Sequence, residues 1–94
     1  MSNAGDGTQE RFTVELIVRN HYGVLNRISG VYARRGFNID SLTVNETVDP
    51  AFSRMLIMSR GDRGVQQQVV RQLSKLYDVD SVTLMVSMKE TDDE

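Results

Sequence analysis

The sequence contains no cysteine, one proline and one histidine among its 94 residues. Without thiols it can form neither a disulfide nor a thiolate metal site. A zinc-type centre needs three or four ligands, and His21 has no neighbouring acidic cluster to join it. His21 therefore reads first as a solvated side chain, with orientation of a nearby loop as the alternative. The serines, including Ser29, Ser41 and Ser53, have no histidine at a spacing that signals activation for nucleophilic catalysis. No metal and no catalytic residue is expected in this chain.

Charge of one sign is also lacking. Eleven basic residues face thirteen acidic ones, for a net charge of −2 and a pI near 5.3. The segment Lys89-Glu90-Thr91-Asp92-Asp93-Glu94 nets −3, which leaves the rest of the chain near +1. There is no basic surplus to drive binding to nucleic acid or to a membrane surface. No apolar run approaches a membrane span and no hydrophobic signal opens the chain. A soluble, cytoplasmic protein is expected.

What is present is the patterning of one small domain, a size that buries roughly 60% of the surface its unfolded chain exposes. Residues 1–10 are expected to be a tag-like, disordered stretch, with Ser2-Asn3-Ala4 resembling a cloning remnant. Residues 11–88 form the domain, and 89–94 an acidic tail. From Arg11 to Arg19, the residues Phe12, Val14, Leu16 and Val18 alternate at period two and predict a strand. Val24, Leu25, Ile28, Val31 and Tyr32 then lie on one side of a helix that Gly36 stops. A strand is expected over 37–44, a turn at Asp49-Pro50, and a third strand over 53–59. A second helix carries Val65, Val69, Leu73 and Leu76 after a cap at Asp62, and a fourth strand spans about Asp80 to Met88.

The two halves repeat. Phe37-Asn38-Ile39-Asp40-Ser41-Leu42-Thr43-Val44 aligns with Tyr77-Asp78-Val79-Asp80-Ser81-Val82-Thr83-Leu84, and Gly23-Val24 aligns with Gly64-Val65. Two consecutive βαβ units predict an α+β, ferredoxin-like βαββαβ fold: a four-stranded antiparallel sheet with two helices on one face. Right-handed crossovers place the first and third strands centrally and leave the second and fourth as edges. Nothing in the second strand's body forbids pairing with another chain. Gly30 interrupts the first helix at a cost of about 1 kcal/mol relative to alanine. Close packing on the sheet and close approach by a partner helix explain it equally well.

RNA-recognition modules share this element order but place aromatic residues on central strands within a basic surface. Here the third strand offers Met55, Leu56, Ile57 and Met58. Met55 and Met85 are expected opposite Leu56 and Leu84, as part of an apolar surface for another protein. Gly61-Asp62-Arg63-Gly64 lacks the Gly-Lys-Ser/Thr ending of a phosphate loop and reads as a turn with a capping aspartate.

The most pointed feature is Asn20-His21-Tyr22-Gly23-Val24-Leu25 at the first strand-to-helix junction. A glycine-containing helix start offers unpaired N–H groups and the positive end of a dipole to a small carboxylate. Asn20 adds a neutral donor and acceptor, which suits an amino acid better than a phosphate. The corresponding junction in the second half keeps Gly64-Val65 but has no asparagine, which points to one ligand loop per chain.

From Phe12 to about Met88 the chain resembles the ACT-domain family of amino-acid-sensing modules. It is most similar to the regulatory small subunits of acetohydroxyacid synthase (acetolactate synthase). The residues that carry this are Val18-Arg19-Asn20-His21-Tyr22-Gly23-Val24-Leu25, Arg34-Arg35-Gly36-Phe37-Asn38-Ile39-Asp40-Ser41-Leu42-Thr43-Val44 and Ser53-Arg54-Met55. The resemblance implies a non-catalytic subunit that binds and activates a catalytic large subunit. It also implies feedback inhibition by valine or a related branched-chain amino acid. Thiamine diphosphate, magnesium and FAD would belong to that partner and no cofactor to this chain. The ligand would sit at an interface of a homodimer formed through the edge strand and first helix. Asn20, His21, Gly23, Val24 and Leu25 would come from one chain, and Asn38 and Ile39 from its neighbour. An ACT-type sensor for a different enzyme or transcription regulator is the alternative.

Overall fold

The computed structural model describes residues 10–86. The expectations for residues 1–9, for Met88 and for the acidic tail lie outside the described residues. Four strands and two helices follow in the order β1 (Arg11–Arg19), α1 (Val24–Arg35), β2 (Ser41–Glu46), β3 (Phe52–Arg60), α2 (Arg63–Ser74) and β4 (Val79–Val86). They form one antiparallel sheet in the order β2-β3-β1-β4. This is the expected ferredoxin-like βαββαβ fold, with β2 and β4 at the edges.

Alternation along β1 sets the register of the whole sheet. Phe12, Val14, Leu16 and Val18 are buried under the helices. Their neighbours across β3 are Ser59, Ile57, Met55 and Ser53, and Val14 and Leu16 face Leu84 and Val82 of β4. Ile28, Val31 and Tyr32 of α1 and Val69 and Leu73 of α2 close this layer from above. Each such aliphatic side chain, fully buried, contributes about 1.5–3 kcal/mol. Tyr32 meets Phe37 edge-to-face, with ring centroids 5.9 Å apart.

The register corrects one expectation. Met55 does not belong to an exposed apolar surface: it is 1% exposed and packs in the core beneath the helices. Met85 does lie on the open side of the sheet, beside Leu56 and Met58.

Helix ends follow local chemistry. Gly36 takes φ 71° at the end of α1, and its N–H and that of Phe37 return to Ala33 and Tyr32. Asp62 caps α2 as expected, its Oδ1 accepting from the Val65 N–H at 3.0 Å. The second strand, expected over 37–44, starts later, at Ser41, and runs to Glu46. Residues 37–40 are irregular, because Phe37 turns back to α1 and Asn38 bonds across to Arg60.

Candidate functional site

The sheet has two ends with different loops. Where β1 finishes, three connections meet: the β1–α1 loop, the β2–β3 hairpin and the α2–β4 turn. Where β3 finishes lie the α1–β2 and β3–α2 connections. The first will be termed the upper end and the second the lower.

The β1–α1 loop is held on both flanks at the upper end. On one side the Asn20 amide donates from Nδ2 to the Pro50 carbonyl at 2.9 Å, and its Oδ1 accepts from Ser53 Oγ at 2.6 Å. The Asn20 backbone N–H donates to the Ala51 carbonyl at 2.9 Å. A cleft of about 430 Å³ opens between this asparagine and the hairpin, bordered by Glu46, Thr47 and Pro50. On the other side the His21 Nδ1–H donates to Asp78 Oδ1 at 2.6 Å. A carboxylate can only accept here, and this fixes the proton on Nδ1. Arg27 donates from Nε to Asp78 Oδ2 at 2.8 Å and also from a terminal nitrogen.

Asp78 is buried while His21 and Arg27 are each half exposed. The His21 hydrogen bond, then those of Arg27, hold the Asp78 carboxyl below the usual aspartate range. His21 also stacks on Tyr77, with centroids 6.2 Å apart and planes 20° from parallel. His21 is thus a tether between loops rather than a freely solvated side chain.

Gly23 begins α1 in the left-handed region, at φ 83°, with no side chain capping the helix. Such a conformation costs a residue with a Cβ about 1–2 kcal/mol. The Val24 N–H is already engaged by the His21 carbonyl at 3.1 Å, and the Arg27 N–H by Gly23 at 3.0 Å. Among the described residues, the first-turn N–H groups of Leu25 and Asn26 have no backbone acceptor. An anion at this helix start would therefore meet the next two amides rather than that of Val24. Val24 packs against the core, and Leu25 points outward at 44% exposure.

Asn38 and Ile39 sit at the lower end, across the length of β2 from this loop. Asn38 Oδ1 accepts from the Arg60 N–H at 3.1 Å, and its Nδ2 donates to Asp40 at 3.2 Å. Asp40 pairs with Arg60 at 3.0 Å. The hydrogen bond from Asn38, followed by the contact with Arg60, holds the Asp40 carboxyl below its ordinary range. Within one chain, therefore, the fold brings Asn20, His21, Gly23, Val24 and Leu25 together and keeps Asn38 and Ile39 apart from them.

Asp78 was not legible as part of this loop, although the internal repeat contained a signal. Asp78 aligns with Asn38, and both reach from before an edge strand to the end of its neighbour. Asn38 takes the Arg60 N–H on its side chain, whereas Asp78 takes the Arg19 N–H on its backbone carbonyl at 2.8 Å. That leaves the Asp78 carboxylate free to hold His21 and Arg27.

Gly30 faces away from the sheet. Among the described residues, a Cβ built there would meet only the Arg34 guanidinium, at 3.1 Å. Close packing on the sheet does not explain this glycine. Among the described residues, no group of three His, Cys, Asp or Glu could hold a metal, and no helix is long and apolar enough to cross a membrane.

Residues 14–81 match the family described as the AHAS small subunit-like ACT domain. The chain is 46% identical over 66 residues to the "Probable acetolactate synthase small subunit" of Methanothermobacter thermautotrophicus, covering 70% of this chain and 39% of the relative. It is 45% identical over 69 residues to the isozyme 3 small subunit of Escherichia coli acetolactate synthase, covering 73% and 42%. Among solved structures, the acetolactate synthase small subunit from Thermotoga maritima superposes with a TM-score of 0.74 at 40% identity, covering 79% of this chain and 46% of that one. The ACT domain of Chlorobium tepidum GTP pyrophosphokinase shares the fold at a TM-score of 0.67 and 20% identity, covering 83% of this chain and all of that one. The chain thus spans somewhat under half the length of the small subunits it matches. It belongs to the AHAS small subunit-like ACT domain family.

Proposed function

We propose that this chain is a non-catalytic regulatory unit of acetolactate synthase. It binds and activates the catalytic large subunit and confers feedback inhibition by a small branched-chain amino acid such as valine. It does so as a homodimer paired through β2 and α1. The observation that carries the reading is the separation of the candidate residues along β2, six residues or about 20 Å. Antiparallel pairing of β2 with its two-fold copy sets the lower end of one chain beside the upper end of the other. Asn38 and Ile39 of the partner then face the Asn20 loop twice per dimer.

The local chemistry fits an amino acid. The Leu25 and Asn26 N–H groups and the helix dipole take the carboxylate. Asn20 and the partner's Asn38 have unused acceptor capacity on their oxygens for the ammonium group. Val24, Leu25 and the partner's Ile39 line the side-chain pocket. Burying a valine side chain there is worth about 1.5–3 kcal/mol. The effector shifts the enzyme only through unequal affinity for its two states.

Calorimetric titration of the dimer with valine, leucine and isoleucine, alone and with the reconstituted large subunit, tests the reading. Saturable heat with one of them, and inhibition of the reconstituted enzyme by the same amino acid, is expected. A confirmed dimer that responds to none of the three removes the assignment.

A further inference from the structure

His21 is the single histidine of the chain, and histidine is the side chain whose charge ordinarily changes between pH 5 and 8. Its place at the upper end gives that proton something to act on. Its Nδ1–H is committed to Asp78 at 2.6 Å, so a further proton goes to Nε2, and the half-exposed ring is within reach of solvent. The backbone of the same residue supports the start of α1. Its carbonyl accepts from the Val24 N–H at 3.1 Å, one residue before the Leu25 and Asn26 amides that face the effector carboxylate.

From this geometry we infer that effector binding is coupled to protonation of His21. The unit binds a small amino acid more tightly when the imidazole is charged, and takes up a proton as it binds. The inference rests on the regulatory reading above and adds a regulation of that same site.

Two effects give the coupling its sign. Among the described residues, the charged groups facing the ring are Asp78 from the α2–β4 turn and Arg27 from α1, and Tyr77 of the same turn stacks on it. Lys75 and Asp80 flank that turn in sequence. Arg19 of β1 lies over Phe52 instead, and Glu46 of β2 borders the cleft on the Asn20 flank. The Asp78 carboxyl, held below the ordinary aspartate range by its His21 and Arg27 hydrogen bonds, stays ionised throughout. A charged His21 therefore shares one carboxylate with Arg27, which leaves a net positive cluster beside the positive end of the α1 dipole. An anionic carboxylate at the next amides offsets that excess. The distance is on the order of the ~8 Å Debye length of physiological salt, so the attraction is only partly screened.

The second effect is mechanical. A charged donor makes the His21–Asp78 hydrogen bond shorter and stronger. The loop is then stiffer before the ligand arrives and loses less entropy on binding. Both effects raise affinity as pH falls through the histidine range. Pairing of two chains through β2 does not disturb this flank, because β4 and its turn lie on the opposite side of β1 from β2.

Calorimetry of the homodimer with valine, leucine and isoleucine at pH 6 and pH 8, in buffers of different ionisation enthalpy, reads affinity and proton uptake together. We expect the amino acid that binds to do so about fivefold more tightly at pH 6, with net proton uptake. His21→Asn keeps a donor for Asp78 near the Nδ1 position but cannot titrate. Melting curves establish that this variant folds, and its affinity should be the same at both pH values. Independently of any variant, the His21 ring of the wild type, followed by NMR, should titrate at higher pH when the site is saturated. Equal wild-type affinity at the two pH values overturns the inference and leaves the site assignment standing. So does a ring titration that the ligand does not move, or a pH dependence retained in His21→Asn. A confirmed dimer that binds none of the three amino acids at either pH overturns the regulatory reading, and the inference with it.

Discussion

His21 and Asp78, 57 residues apart in sequence, meet through a 2.6 Å hydrogen bond that joins the two halves of the repeat at the candidate ligand loop. With Arg27 completing the cluster, both oxygens of one buried carboxylate are engaged. Asp78→Asn leaves the shape but removes the charge that His21 and Arg27 share. The variant is expected to melt lower than wild type at pH 7. The sign of the pH dependence follows from the lowered carboxyl of Asp78, and Asp40 behaves likewise. Their stabilisation is complete above the ordinary aspartate value of about 4 and is lost as pH falls through the lower folded values. The gap between wild type and Asp78→Asn should therefore close in melts recorded from pH 5 down to pH 2. A gap that stays constant over that range would show that the carboxylate charge is not what holds the loop.

Gly30→Ala separates stability from assembly. In a single chain the added methyl meets only the end of the Arg34 side chain, which can move. Removing glycine from mid-helix should stabilise the isolated fold by about 1 kcal/mol. If α1 packs closely on its two-fold copy, the same change should weaken the dimer. Denaturation and sedimentation equilibrium of one variant read the two effects separately.

Gly61→Ala should destabilise for a different reason. Gly61 is buried, and a Cβ there would lie 2.5 Å from Val65 Cγ1. Valine is β-branched and stiff in a helix, so it cannot swing aside as an arginine tip can. Overpacking of this kind costs about 1–3 kcal/mol, measurable as a lower urea midpoint with an unchanged slope.

Tyr32→Phe should cost nothing and could raise stability by up to about 1 kcal/mol. Among the described residues, neither the Tyr32 nor the Ser59 hydroxyl, both buried, has a hydrogen-bond partner of good geometry. Burial pushes the Tyr32 phenol up to about 12, so it stays neutral at physiological pH. The ring carries the packing against Phe37, and that survives the substitution. A loss above 1 kcal/mol in denaturant titration would mean that the hydroxyl is satisfied.

Much of this architecture was readable because β1 alternates cleanly from Phe12 to Val18, which fixed one strand and, through the repeat, the fold. The Met55-Leu56-Ile57-Met58 run of β3 has no alternation to read. Only its pairing with Leu16 and Val14 shows that Met55 and Ile57 face inward. Phe37 and Ile39 mimic a strand start, but the left-handed turn at Gly36 directs Phe37 back to Tyr32. At the candidate site, the Asn20 loop was legible from its junction of strand, glycine and helix. Its tethers to Pro50, Ser53 and Asp78 were not, because each depends on loops that approach only after the sheet has formed.

The central claim is that the effector site is shared between chains, and mixing two variants tests it most directly. Asn20→Ala and Asn38→Ala should each bind valine weakly as homodimers. In a mixed dimer of the two, one site collects both substitutions while the other retains the wild-type Asn20 and Asn38. Calorimetry of the equilibrated mixture should therefore recover wild-type affinity at one site per mixed dimer. A mixture that binds no better than either variant alone would contradict a site built from both chains.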